Sequence, residues 1–319
     1  MRALQFSRSG PVSNLRLVDL PDPQPDEHTA IAKLAAASIS PGDVKNVEGK
    51  MDNMTLPRVP GRDHAGTVIR GPEYWMGAEV WGTGGEIGYT IDGNHAELVS
   101  VPGRKPRTLS LQQAASVGLT YLAAWMGLIE YAQVTGEETL LIVGAWGGVG
   151  GDAAQIDRWR GARVIAVDRH ALRADAPAAP AVDEFFLLET KTFDTIARAA
   201  TARRGTEVVF DTVGGPMFEP ALNALAPCGR QPVIASAGDR RVSFDLIDFY
   251  HNESRLLGVD TRARNAIAWA KHLDALGPFF KQGIFQVPQI ERILALADRV
   301  ADYQEVTSGQ PRERLALAS

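Results

Sequence analysis

Residues 140–168 read LLIVGAWGGVGGDAAQIDRWRGARVIAVD, and no other stretch constrains the fold as strongly. Leu140-Leu141-Ile142-Val143 is short, unbroken and apolar, the pattern of a strand buried on both faces of a parallel sheet. A glycine-rich turn follows, Ala145-Trp146-Gly147-Gly148-Val149-Gly150. Ala145 stands where the usual fingerprint has its first glycine, and Gly147 and Gly150 fill the second and third positions. The second glycine lets the backbone approach a pyrophosphate; the third lets the helix pack close to the strand. Val149, Ala153, Ile156 and Trp159 fall near helical spacing, and Gly161 is placed to end that helix. Val164-Ile165-Ala166-Val167 reads as a second strand, closed by Asp168. Strand, glycine turn, helix, strand and acid in this order predict a dinucleotide-binding βαβ unit, with phosphates at the helix N-terminus.

Asp168 lies eighteen residues beyond Gly150. An acid there accepts hydrogen bonds from the adenosine ribose and repels the extra phosphate of NADP, which favours NAD(H). Arg169 follows and can pair with that phosphate, so NADP(H) stays open. The competing reading is a Rossmann-like domain that binds no nucleotide.

At 319 residues the chain is long enough for two domains. A net charge of −5 argues against nucleic acid or an anionic membrane as partner. A single cysteine, Cys228, excludes an intrachain disulfide framework and any multi-cysteine zinc site. The start, MRALQFSRSG, lacks the apolar core of a signal peptide, and the longest uncharged, mostly apolar run, 116–129, is too short, and too broken by Thr120 and Tyr121, to span a bilayer. These points predict a cytoplasmic protein.

To about Ser110 the chain is rich in short strand patterns punctuated by Pro and Gly. Strands are expected at 3–6, 15–18, 29–36, 64–69, 79–81 and 96–101, the last ended by Pro102-Gly103. Residues 111–131 read as helical, with a restart near Thr120. After the βαβ unit, apolar strands are expected at 207–210, 233–235 and 256–259, with helices at 193–201 and 217–225 between them. Cys228 falls in a turn. Alternating strands and helices predict a doubly wound parallel sheet. The tail from about Asp260 reads as mostly helical, with a strand-like finish at 314–317.

The ordered set of local motifs resembles the medium-chain dehydrogenase/reductase superfamily, and within it the zinc-independent quinone oxidoreductase branch. Ser40-Pro41-Gly42-Asp43-Val44-Lys45 resembles Asn-Pro-x-Asp-x-Lys, and Pro60-Gly61-Arg62-Asp63-His64-Ala65-Gly66 resembles Pro-Gly-x-Asp-x-Ala-Gly. Gly93-Asn94-His95-Ala96-Glu97, Gly118-Leu119-Thr120 and Asp211-Thr212-Val213-Gly214-Gly215 match further motifs in the expected order. The resemblance implies an α/β protein in two parts. One is a GroES-like β-rich catalytic domain, 1–114 completed by 260–319; the other is a Rossmann doubly wound parallel-sheet cofactor domain, 115–259. It also implies cofactor contacts from Val213, Ala235, Ser236, Ala237 and Val259, and a homodimer formed through an edge strand of the cofactor sheet.

In the zinc branch, Cys, a His-Glu pair and a second Cys or Asp hold the catalytic metal. Motif alignment puts Ser40, Arg62-Asp63 and about Val117 there, which cannot build an N/S tetrahedral site. His28, His64, His95, His170, His251 and His272 show no ligand spacing. No metal is expected. Without a Lewis acid, the substrate should be a quinone or enone, whose conjugation spreads the incoming charge. Candidate catalytic residues are Ser40, Lys45, Arg62 and Thr120. Lys45 orients the substrate, pairs with Asp43 or is a solvated surface lysine. Arg62 is an oxyanion donor or belongs to an ion pair with Asp63 or Glu79. Thr120 contacts the nicotinamide or caps the helix after it. The alternatives are a metal-free alcohol dehydrogenase or carbonyl reductase, and a nucleotide-binding protein that has lost catalysis.

Overall fold

The computed structural model describes residues 1–27, 29–101, 108–171, 174–188, 193–238, 240–287, 290–296, 303–306 and 314–318. His28 and the expected Pro102-Gly103 stop lie outside the described residues. The chain divides into two units. Unit 1 comprises Met1–Leu119, Thr261–Gly283 and Val287–Ser319; unit 2 comprises Thr120–Asp260 and Ile284–Gln286.

Unit 1 begins with an antiparallel pair, β1 (Arg2–Gln5) and β2 (Arg16–Asp19). Then come β3 (Ala30–Ser38), helix α1 (Pro41–Val47), β4 (His64–Arg70), β5 (Glu79–Gly82) and β6 (Leu98–Val101). β3 is the hub, pairing antiparallel with both β4 and β6. Its register against β4 shifts twice, the kind of irregularity that bends a sheet. Leu4, Phe6, Leu34, Val47, Val68, Val99 and Tyr303 pack into one buried core.

Helix α2 (Leu111–Trp125) runs without a break through Thr120, and a π-helical turn, Met126–Tyr131, extends it. The expected restart is absent, and Thr120 lies inside the helix rather than at its start. Ser110 caps the helix instead: its Oγ accepts the Gln113 N–H while Gln113 Oε1 accepts the Ser110 N–H.

Unit 2 is an α/β sheet. Its elements are β7 (Thr139–Val143), α3 (Gly148–Arg160), β8 (Arg163–Asp168), β9 (Glu184–Leu187), α4 (Phe193–Ala200), β10 (Thr206–Asp211), α5 (Phe218–Asn223), β11 (Leu225–Val233), α6 (Leu246–His251) and β12 (Arg255–Gly258). The spatial order is β12-β11-β10-β7-β8-β9 and every pairing is parallel. Read from the other edge, this is the 3-2-1-4-5-6 order of a Rossmann sheet, with its topological switch between β7 and β10. β7 is buried along its whole length, as its unbroken apolar run requires.

Three expectations for this half need correction. β9 was not expected, because Glu-Phe-Phe-Leu is short and only partly buried. The fifth strand of the sheet is Leu225–Val233 rather than 233–235. Pro227, Cys228 and Gly229 read as a turn, yet the chain continues through them as a strand whose register shifts, with Cys228 in the left-handed region at φ 62°.

The tail returns to unit 1 with α7 (Ala266–Lys281), β13 (Ile290–Ala295) and β14 (Arg314–Ala318). β13 replaces helix expected from the sequence, and β14 pairs with both β13 and β3. Among the described residues, no helix is long and apolar enough to cross a membrane.

Candidate functional site

The carboxyl edge of the unit 2 sheet gathers most of the residues singled out from sequence. β7 ends at Val143 and the chain turns at Gly144, whose φ is +80°. A Cβ on Gly144 would lie 2.6 Å from Thr212 Oγ1. Gly144 is therefore the tight-turn glycine, a role the sequence reading sought at Ala145, which is instead fully buried. The pattern is Gly144-x-x-Gly147-x-x-Gly150. Gly147 is the N-cap of α3, and no side chain caps this end. A Cβ on Gly150 would lie 2.2 Å from Gly144 O and 2.9 Å from Ala145 Cα, so only glycine lets α3 pack this close to β7.

Asp168, at the end of β8, is buried. Its Oδ2 accepts the Trp146 N–H at 3.0 Å and its Oδ1 accepts the His170 N–H at 3.0 Å. The Trp146 ring packs against Phe185 of β9, 5.3 Å between centroids. Arg169 is exposed and its Nε donates to His170 Nε2. Sequence reasoning missed Phe185 together with its strand.

On the other side of the switch, Thr212 Oγ1 donates to Val143 O at 2.8 Å. Asp211 Oδ1 accepts the N–H groups of Val213 and Gly214, each at 2.9 Å. The Ala237 N–H donates to Val213 O at 2.8 Å, and the Val259 N–H to Val233 O at 3.0 Å. Val213, Ala235, Ser236, Ala237 and Val259 thus follow the ends of β10, β11 and β12 at one edge of the sheet. Thr120 is half-buried on α2, the first residue of unit 2.

Unit 1 holds the remaining candidates. Ser40 is the N-cap of α1 in a complete capping box: its Oγ donates to Asp43 Oδ2 at 2.6 Å and accepts the Asp43 N–H at 3.2 Å. The pattern Ser-x-x-Asp carried that signal. The Arg62 guanidinium is buried, with Nε 3.8 Å from Asp43 Oδ1 and its centre 5.5 Å from the middle of the Tyr89 ring. Arg262 lies over the same ring at 5.4 Å. Lys45 is half-buried in the last turn of α1. Asp63 spends its carboxylate on the Leu119 N–H at 2.9 Å and the Ser38 hydroxyl. His64 is fully buried, and desolvation depresses its ring to a pKa of about 4.

The donor set at the aligned zinc positions does not suit that metal. Ser40 gives its hydroxyl to Asp43, Arg62 is a cation, and Val117 is a buried aliphatic. Among the described residues, no three His, Cys, Asp or Glu side chains converge as ligands.

A parallel sheet in Rossmann order, with a glycine turn at its switch point and a buried acid ending the neighbouring strand, defines the class: two-unit α/β proteins built on a dinucleotide-binding sheet. Comparison with known proteins carries this further. The model of a family described as zinc-binding dehydrogenase matches residues 148–275. A zinc-type alcohol dehydrogenase-like protein of Schizosaccharomyces pombe is 31% identical over 281 residues, 86% of this chain and 82% of that protein. A quinone oxidoreductase of Lama guanicoe is 28% identical over 275 residues, 81% of this chain and 79% of that one. Among solved structures, an alcohol dehydrogenase superfamily protein from Novosphingobium aromaticivorans matches with a TM-score of 0.86 at 26% identity, covering 100% of this chain and 99% of its own. An NAD-dependent alcohol dehydrogenase shares the fold, with a TM-score of 0.85 at 24% identity and full coverage of both chains. The chain belongs to the medium-chain dehydrogenase/reductase superfamily of NAD(P)-dependent oxidoreductases. Its units are the GroES-like and Rossmann domains of that fold.

Proposed function

We propose that the chain is a zinc-independent oxidoreductase acting between a nicotinamide cofactor and a conjugated carbonyl compound, a quinone or an enone. The observation that carries this reading is the glycine turn tied to Asp168 at the switch point, in a chain whose aligned zinc positions hold Ser40, Arg62-Asp63 and about Val117, with the Asp63 carboxylate bonded to the Leu119 N–H and the Ser38 hydroxyl. Gly147, Gly148, Val149 and Gly150 would hold the pyrophosphate at the start of α3. Asp168 would meet the adenosine ribose, which favours NADH, while Arg169 keeps NADPH usable. Val213, Ala235, Ser236, Ala237, Val259 and Thr120 would receive the nicotinamide half. When bound in its reduced form, the nicotinamide supplies hydride.

A conjugated acceptor needs a hydrogen-bond donor for its developing oxyanion rather than a Lewis acid. Arg62 suits that task, because a guanidinium stays charged throughout the physiological range and Asp43 fixes its position. Lys45 orients the substrate. Ser40 acts through its capping box, by holding the Asp43 carboxylate that Arg62 faces. The partner of the unit 2 edge is a second copy of the chain. Leu246, Ile247 and Tyr250 are exposed on α6, just ahead of edge strand β12.

The test mixes the protein with NADH, and separately NADPH, and follows loss of reduced-nicotinamide absorbance with a quinone, an enone and a simple aldehyde. Oxidation with the quinone or enone is expected. Turnover of the aldehyde alone would indicate a metal-free alcohol dehydrogenase or carbonyl reductase. Binding without turnover would indicate a nucleotide-binding protein.

A further inference from the structure

Two carboxylates sit at the ends of strands in the unit 2 sheet, one in each half of the fold. Asp168 closes the second strand of the first half and accepts two backbone N–H groups. Asp211 closes the first strand of the second half and also accepts two, from Val213 and Gly214. Asp211 is only 1% exposed, and its Oδ2 is buried with no hydrogen-bond partner. Burial pushes its carboxyl above the usual range, against the pull of the two N–H groups.

The bonds to Asp211 reach further than its own turn. Gly214 is held at φ +67°, and a Cβ there would lie 2.1 Å from Ala235 O, so this turn presses directly on the loop after β11. Val213 O in turn accepts the Ala237 N–H. A continuous set of contacts therefore runs from the Asp211 carboxyl through Val213-Gly214 to Ala235 and Ala237. In a sheet of this order the second half receives the second mononucleotide of the cofactor.

We propose that Asp211 is a positioning residue for the nicotinamide half of the cofactor: its Oδ1 fixes the Val213-Gly214 turn and, through that turn, the loop of Ala235 and Ala237. The inference rests on the dinucleotide reading given above.

The test measures NADH and NADPH affinity by calorimetry for the full chain, together with amide hydrogen exchange and melting of the cofactor-free protein. For Asp211→Ala, NADH affinity is expected to fall about tenfold or more, the loss of a charged hydrogen bond. The amides of Val213, Gly214 and Ala237 should exchange faster while those of β7 and β8 keep their protection. Asp211→Asn retains the accepting oxygen and should bind within about threefold of the parent. Gly214→Ala should loosen the same amides. Wild-type affinity in Asp211→Ala would overturn the proposal. So would a loss that merely follows the melting temperature and is not rescued by Asn. If the parent protein binds neither cofactor, the dinucleotide reading fails and the proposal falls with it.

Discussion

The Trp146 N–H donates to Asp168 Oδ2 at 3.0 Å, so the acid that ends β8 holds the glycine turn that follows β7. The other oxygen, Oδ1, takes the His170 N–H. One side chain thereby joins the turn expected to bind the pyrophosphate to the position expected to bind the ribose. Each carboxylate oxygen has a second lone pair, so these bonds leave Asp168 able to accept from a ribose hydroxyl as well.

Asp168→Ser should shift cofactor choice. Serine removes the charge that repels an extra phosphate, and also weakens the hold on Trp146. NADH affinity is expected to drop about tenfold and the NADPH-to-NADH affinity ratio to rise. Parallel titrations with the two cofactors check this, and an unchanged ratio would sink the ribose assignment.

Gly150→Ala should damage both folding and binding. The added methyl would sit 2.2 Å from Gly144 O, so α3 must move away from β7. Overpacking of this kind costs about 1–3 kcal/mol. Chemical denaturation and cofactor titration should both register the change; an alanine variant with parental stability would show that the contact yields easily.

Acid should unfold the protein partly through His64. Its folded pKa of about 4 lies below the ordinary histidine value of 6.5, so the unfolded chain takes up the proton first as pH falls. The stability conferred by the neutral ring is present above about pH 6.5 and is lost as pH falls towards 4, about 3 kcal/mol in all. His64→Gln should flatten the stability profile in that window. Urea titrations across the pH range provide the comparison, and an unaltered slope would assign the acid sensitivity to other groups.

Replacing both Leu246 and Tyr250 by Glu should separate the proposed dimer, because it puts charge on an exposed apolar surface. Sedimentation velocity would show the parent as a dimer and the variant as a monomer. A monomeric parent would remove the assignment.

The βαβ unit was legible because its signals are local. An unbroken apolar run, close glycines and a terminal acid each force a geometry within a few residues. β9 was not legible, since Glu-Phe-Phe-Leu becomes a strand by pairing with β8. β11 was misplaced because Pro227 and Gly229 look like a turn, and the chain does bend there, with Cys228 left-handed; the strand is sustained by its parallel partners on both sides only from Arg230 to Val233. Thr120 looked like a helix start, but α2 passes through it, with the Asp63 carboxylate also bonding the Leu119 N–H.

By itself the sequence determined the Rossmann half and the approximate strands of the β-rich half; the family resemblance added that Ser40, Arg62-Asp63 and about Val117 stand at the zinc positions, a donor set that does not suit the metal. Those follow from periodicity, glycine placement and donor chemistry, which need no partner to be read. The tertiary structure decided which distant groups each acid serves: Asp43 faces Arg62 and Asp168 holds Trp146. The Arg62 and Trp146 contacts bridge separate elements, and such a contact exists only once the sheet has set its register. The physical reason is that a carboxylate in a folded interior bonds whatever donors packing delivers to it, and one sequence read in order cannot say which those are.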